Sequence, residues 1–309
     1  MNAKELVLAA RQNKTVVPAF NIPYLPMVEA VANAVADEKI VAIIHVARVE
    51  WEKFSSISLE AVAAEYRKHE KPGFTLLGLD HIPAVDEDNK KVDYRPIIQR
   101  AIDAGYMSVM IDGSRLDLDS NILVTAEIAS LAHGAGLACE GELGAVMGHE
   151  SGPLRPYEEI FQSRLGFTDP LEAERFARES GCDWLSIAVG NIHGAVAEAT
   201  RHQKKPAARL DINHIAGLYR ITALPLVLHG GSGIPVEYIR LAIAAGIAKI
   251  NVGTEIRQAY EKSIEEKKGN TALAQERVYQ RVREIISDLL GPAESRSLVQ
   301  EGQNDVLRN

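Results

Sequence analysis

Short runs of β-branched and aliphatic residues alternate along this chain with longer stretches in which apolar residues recur at helical spacing. The spacing predicts strands at residues 16–21, 41–45, 74–79, 107–111, 137–142, 184–189, 225–228 and 247–252. It predicts helices between them at 25–37, 59–69, 94–104, 118–135, 169–180, 210–221 and 236–245. An amphipathic helix over 1–14 precedes the first strand, and two more, over 255–266 and 273–290, follow the last. Three polar or glycine-rich stretches, 83–93, 143–166 and 199–206, read as loops.

Strands that alternate with helices pair in parallel, because each connection is then a crossover. Eight such repeats predict an α/β fold, a (β/α)8 TIM barrel with extra C-terminal helices, as a single domain over residues 1–309. A doubly wound open sheet would carry a glycine fingerprint after the first strand. Asn21-Ile22-Pro23-Tyr24 stands there instead.

Hydrophobic residues make up 46% of the chain and charged residues 25%, a globular composition. The formal net charge of −8 gives no electrostatic reason to expect a nucleic-acid partner. No apolar stretch reaches the roughly 18 residues of a membrane span. The N-terminus lacks the basic start and long apolar run of a signal peptide. Cys139 and Cys182 both lie in apolar segments, which fits a reducing compartment. A cytoplasmic protein is expected.

Catalytic groups of a parallel barrel gather at the C-terminal ends of its strands. The residues at or just past those ends are Asn21, His45, Asp80, His81, Asp112, Glu142, His193, His229 and Asn251. Three imidazoles, His81, His193 and His229, with an open fourth position form the pattern of a catalytic zinc site. Asp112 and Glu142 are candidates to orient those ligands or to replace one of them. Just beyond a strand end two adjacent side chains can both reach the mouth. Asp80 is therefore placed as a general acid/base while its neighbour His81 binds metal. Three glycine-bearing segments surround these groups: His193-Gly194, Gly230-Gly231-Ser232-Gly233 and Asn251-Val252-Gly253-Thr254. The last two follow the seventh and eighth strands, where this fold frequently builds a phosphate site.

In combination and order, these segments resemble the class II (metal-dependent) ketose-bisphosphate aldolases of the fructose- and tagatose-bisphosphate type. The matching stretches are Pro18-Ala19-Phe20-Asn21, Leu79-Asp80-His81, Ser108 to Ser114, Glu140-Gly141-Glu142-Leu143-Gly144, Asn191-Ile192-His193-Gly194, Leu228 to Gly233 and Lys249 to Thr254. The resemblance implies reversible cleavage of a phosphorylated ketose, such as fructose 1,6-bisphosphate, into dihydroxyacetone phosphate and an aldehyde. It implies that His81, His193 and His229 hold one Zn²⁺ per subunit and that Asp80 moves a proton at the C4 oxygen. Gly194, Gly231, Ser232, Asn251 and Thr254 would hold dihydroxyacetone phosphate, with Asn21, Gly230 and Gly253 beside them. A monovalent cation (Na⁺ or K⁺) and a homodimer or homotetramer are further implications. The chemistry agrees with the residues: aldol cleavage leaves a carbanion next to a carbonyl, and a Lewis acid absorbs that charge.

The chain also departs from the family. Ile82-Pro83 and a longer, charged stretch to Asp93 follow Asp80-His81 where the family has glycine. Ala47-Arg48-Val49-Glu50, preceded by His45, replaces a Ser-x-Gly segment. Gly253 stands where fructose- and tagatose-type members carry Asp or Ala. With these changes the substrate need not be fructose or tagatose bisphosphate, and another ketose 1-phosphate is the alternative. Arg48 is a candidate to meet a second anionic group, and pairing with Glu50 or Glu52 is the alternative. Two rival readings are a Schiff-base aldolase built on Lys249 and a non-catalytic phosphosugar-binding barrel. His149, His202 and His214 read as solvent-facing, Tyr157 and Glu158 as parts of a lid, and Trp184 as core.

Overall fold

The computed structural model describes residues 2–146, 156–192, 208–266 and 269–291. The readings made for His149, His193, Gly194, His202 and the 199–206 stretch lie outside these residues. The strands are β1 (Val17–Asn21), β2 (Ala42–Val46), β3 (Thr75–Leu79), β4 (Ile82–Pro83), β5 (Ser108–Asp112), β6 (Ala138–Leu143), β7 (Trp184–Ile187), β8 (Leu226–Leu228) and β9 (Ile247–Val252). Neighbours pair in parallel in the order β3-β2-β1-β9-β8-β7-β6-β5-β4, and a β3–β5 pair closes the ring. β3 and β4 are two halves of one stave, so the barrel has eight staves among the described residues, as the spacing predicts.

The helices are α1 (Ala3–Gln12), α2 (Met27–Asp37), α3 (Arg48–Lys53), α4 (Leu59–His69), α5 (Tyr94–Asp103), α6 (Leu118–Gly134), α7 (Tyr157–Ser163), α8 (Pro170–Glu179), α9 (Ile212–Thr222), α10 (Val236–Ala245), α11 (Thr254–Glu266) and α12 (Thr271–Leu290). Side-chain oxygens of Asn2, Ser58, Asp117, Asp169, Asp211 and Asn270 cap the starts of α1, α4, α6, α8, α9 and α12. Among the described residues no helix is long and apolar enough to cross a membrane.

Alternation along the strands divides the core in two. Phe20, Ile44, Leu77, Val109, Cys139, Leu185, Leu228 and Ile250 face outward and pack under the helices. Val17, Ala19, Ile43, Leu76, Trp184 and Val227 face inward, where Leu6, Val7 and Ala10 of α1 close the N-terminal end of the barrel. Trp184 is core, as expected, and the polar inward residues are left for the opposite end.

Three expectations change. The sequence reading gives no helix between the second strand and residue 59, yet α3 forms there. Its single buried residue is Glu50, so there is no apolar stripe for periodicity to detect. The 83–93 stretch is not wholly loop: Ile82-Pro83 extends the sheet, and Val85 bridges Lys91 in an antiparallel turn. The 143–166 stretch likewise carries α7 at its end.

Candidate active site

The register of the third stave explains how adjacent residues reach the barrel mouth together. Gly78 pairs with Ser108, but Ile82 pairs with Ile111, so one extra residue is inserted on the β3–β4 side. Asp80 continues the inward face of Leu76 and Gly78. The bulge then turns His81 inward as well, where simple alternation would have sent it into the helix layer.

Asp80 is buried and held at both carboxylate oxygens. Asn21 Nδ2 donates to Oδ2 at 2.7 Å, and Asn251 Nδ2 donates to Oδ1 at 2.8 Å. Burial alone would raise its pKa, but the neighbouring His45, His229 and Lys249 outweigh it and hold the group below the usual carboxylate range. Asp80 is therefore an ionised acceptor. His45 lies 3.6 Å from Asp80 Oδ1, and burial, then Lys249, lower its pKa to about 3, so it is neutral. Gly78 makes its room: a Cβ there would stand 2.5 Å from the His45 ring.

His81, Glu142 and His229 form a second group. Glu142 Oε2 is buried and accepts no hydrogen bond among the described residues. His229 Nδ1 lies 3.5 Å from it and His81 Nδ1 3.7 Å. Each of the three residues offers a ligand atom within 4.8 Å of the other two. The far ring nitrogens are held by carboxylates: His81 Nε2 stands 3.1 Å from Asp112 Oδ2, and His229 Nε2 stands 2.7 Å from Glu140 Oε1. That is how metal-binding imidazoles are oriented. Burial opposes a charge on His81, but Asp112 and Glu142 raise it to about 10. Burial and then Asp112 raise Glu142 to about 7. Two imidazoles and a carboxylate, backed by two more carboxylates, fit a zinc-type ion. The third expected ligand, His193, lies outside the described residues.

Glu140 was not singled out from the sequence, although period-two spacing from Glu142 puts it on the same inward face. It accepts from Lys249 Nζ at 2.7 Å and from the Trp184 indole N–H. Burial pushes Glu140 up, but Lys249 and His229 lower it to about 2. Lys249 Nζ also donates to Asn251 Oδ1 at 2.7 Å, which aims the Asn251 amide N–H at Asp80. Lys249 is thus a fully buried ion-pair partner.

The glycine-bearing segments after β8 and β9 border the same cavity as Asn21, Asp80, His81, His229 and Asn251, through Gly230, Ser232, Gly253 and Thr254. Gly231 N–H donates to Asn251 O at 3.1 Å and Gly233 N–H to Glu255 Oε1 at 2.7 Å, so both shape the loop. A Cβ on Gly231 would lie 2.6 Å from Ile250 Cγ2, so the position demands glycine. Thr254 opens α11 and lines this cavity. A larger cavity of about 670 Å³ lies beyond Ser232, between α10, α11 and α12, away from the metal-type ligands.

The rim answers other expectations. Arg48 pairs with Glu52 at 2.9 Å and reaches Asp86 at 3.5 Å, and Lys53 pairs with Glu87. The two divergent segments, α3 and the 83–93 turn, are thus clipped to each other. Tyr157 OH donates to Gly190 O and Arg209 O, both at 2.9 Å, and Glu158 pairs with Arg209. These contacts fix α7 onto residues that follow β7 and precede α9. His214, expected in solvent, is half-buried, with Nε2 2.7 Å from Thr168 O.

A parallel (β/α)8 barrel with a carboxylate–imidazole cluster at its C-terminal mouth has the architecture of a barrel enzyme. The family described as Fructose-bisphosphate aldolase class-II matches residues 1–295. The chain belongs to that family: it is an aldolase, and so a lyase. A fructose-bisphosphate aldolase of Geobacillus stearothermophilus is 31% identical over 270 residues, covering 86% of this chain and 85% of the relative. A 6-phospho-5-dehydro-2-deoxy-D-gluconate aldolase of Bacillus licheniformis is 32% identical over 283 residues, covering 90% and 88%. The crystal structure of the YdjI aldolase from Escherichia coli K12 superposes with a TM-score of 0.74 at 25% identity, covering 93% of this chain and 96% of that one.

Proposed function

We propose that this aldolase reversibly cleaves a ketose 1-phosphate into dihydroxyacetone phosphate and an aldehyde, using a Zn²⁺ ion held by His81, His229 and His193 with Glu142 in reach. The observation that carries the reading is the position of Asp80, fixed by Asn21 and Asn251 beside the His81–Glu142–His229 cluster. The ion supplies Lewis-acid stabilisation of the charge left beside the carbonyl. Asp80, already ionised, takes the C4 hydroxyl proton as the C3–C4 bond breaks, a proton derived from solvent completes dihydroxyacetone phosphate at C3, and both transfers reverse in the condensation direction. The Ser232 hydroxyl, the Thr254 end of α11 and the backbone at Gly230 and Gly253 bind the phosphate. Gly194 joins them in this reading. Phosphate binding there positions the reacting carbons.

Lys249 does not serve as a Schiff-base nucleophile in this reading, because its ammonium is committed to Glu140 and Asn251. A fructose 1,6-bisphosphate-like ketose defines the chemistry. The altered 47–50 and 82–93 segments leave the aldehyde half as the variable part. The two buried free thiols, Cys139 and Cys182, are consistent with a cytoplasmic setting, and a homo-oligomer is expected from the family.

The test is a cleavage panel of fructose and tagatose bisphosphates and ketose 1-phosphates. Release of dihydroxyacetone phosphate should stop with chelator and return with Zn²⁺. Chelator-resistant cleavage would refute the metal reading, and metal binding without any turnover would favour a binding protein.

A further inference from the structure

The one buried residue of α3 is a carboxylic acid that the mechanism above does not use. Glu50 is 7% exposed and borders the same cavity as Asp80, His81, His229 and Asn251. Buried glutamates are rare unless something holds them. Here Oε2 accepts from Ala47 N–H at 2.7 Å, closing the first turn of α3. The Asn21 side chain, which donates to Asp80, borders the same cavity as Glu50. Among the described residues, Glu50 and Asp80 are the two acids that line this cavity.

The surroundings assign Glu50 to one end of the substrate. The phosphate loops after β8 and β9 take the dihydroxyacetone phosphate half in the reading above, and Asp80 takes the C4 oxygen. In that reading, atoms beyond C4 meet the remaining lining of the cavity, Pro23, Ala47, Val49 and Phe54 with Glu50 among them. That wall is apolar except for Glu50 and Arg257. Arg257 is bonded to Glu261 at 2.7 Å and lies with its guanidinium 5.1 Å from the centre of the Phe54 ring.

We propose that Glu50 is a specificity-determining residue: its carboxyl hydrogen-bonds a hydroxyl on the carbon next to the aldehyde carbon of the product half. The proposal rests on the aldolase reading of the preceding subsection and names the class of aldehyde it takes, a 2-hydroxyaldehyde. Val49, Phe54 and Pro23 offer no polar side chain to replace that hydrogen bond. A buried hydrogen-bonding group discriminates strongly against an analogue lacking its partner, because the group is then left unsatisfied.

The experiment is condensation of dihydroxyacetone phosphate with glycolaldehyde or acetaldehyde, which differ only in that hydroxyl. The Zn²⁺-loaded wild type, Glu50→Met and Glu50→Gln are compared. The wild type should favour glycolaldehyde by at least about 100-fold in kcat/KM. Glu50→Met should compress the ratio to below about tenfold, and Glu50→Gln should fall between, because it retains hydrogen bonding in an altered pattern. The ratio is read within each variant, so a general loss of activity cancels. A wild-type ratio near one, or an unchanged ratio in Glu50→Met, overturns the proposal. If Glu50→Met shows no turnover, a wild-type ratio in Glu50→Gln overturns it and a lowered one supports it. Exchange of the hydroxymethyl hydrogen of dihydroxyacetone phosphate with solvent deuterium by the wild type separates the two failures. Without chelator-sensitive exchange the aldolase reading itself falls. With exchange but no acceptor preference, only the role of Glu50 does.

Discussion

Lys249 and Glu140 form a buried ion pair, Nζ to Oε2 at 2.7 Å, that connects the two halves of the site. On one side Glu140 holds His229, and on the other Lys249 holds the Asn251 amide that faces Asp80. Removing one charge strands the other in a dry interior. Lys249→Met should therefore destabilise the protein by about 3–5 kcal/mol in chemical denaturation. Adding Glu140→Gln should recover part of that loss. Borohydride with substrate should leave the wild type unmodified, and a covalent adduct on Lys249 would revive the Schiff-base mechanism.

Asp80 accepts at both oxygens, so an isosteric replacement keeps its shape while removing the charge and one acceptor. Asp80→Asn should lower kcat for ketose phosphate cleavage by about 10²–10⁴-fold, the range for a removed general base. Bound zinc per subunit, measured by atomic absorption, should be unchanged. Lost zinc would mean that Asp80 is itself a ligand.

Asp112 accepts from Ser114 N–H at 2.8 Å and faces His81 Nε2 at 3.1 Å. It bonds the cluster at the His81 ring. Asp112→Asn should weaken zinc binding by about 10–100-fold, as measured by competition with a fluorescent chelator. Equal affinity in both proteins would remove Asp112 from the ligand-orienting role.

The parts of this site that were legible in the sequence are those governed by local periodicity. Strand runs ending on polar residues located Asn21, Asp80, Asp112, Glu142, His229 and Asn251, because a parallel barrel sends all its strand ends to one mouth. Glu140 was within reach of the same rule and was passed over, since it lies inside a strand and not at its end. Lys249 shares the inward face of β9 with Asn251 through their two-residue offset, but its partner Glu140 is fixed only by closure of β6 against the other staves. Glu50 had no local signal: α3 is short, buries no apolar residue, and is fixed by Arg48 and Lys53 reaching the 83–93 turn. The pairing of His45 with Gly78 is a matter of register between two strands, which one strand's sequence does not contain.

That pairing is testable by itself. A methyl group on residue 78 would collide with the His45 ring at 2.5 Å and with Ser108 Oγ at 2.7 Å. Gly78→Ala should cost about 1–3 kcal/mol by overpacking. In a His45→Ala background the same change should cost much less, because the ring is gone. Equal costs in the two backgrounds would show that Ser108 or the backbone, not His45, sets the need for glycine.

Glu50 also predicts a pH dependence of stability with a definite sign. Burial raises its pKa from the ordinary 4.5 to about 8, with the Ala47 N–H opposing and Asp80 reinforcing the shift. Between those values the native protein keeps a proton that the unfolded chain releases. Stability from this group is thus complete below pH 4.5 and is lost as pH rises through about 8. Glu50→Gln cannot ionise, so its Tm relative to wild type should climb steadily across that window and level off above it. Both proteins are compared at saturating Zn²⁺, so that titration of the metal ligands cancels in the difference. A difference independent of pH would mean that Glu50 is already ionised in the native protein, and the carboxyl would then act on substrate hydroxyls as an acceptor alone.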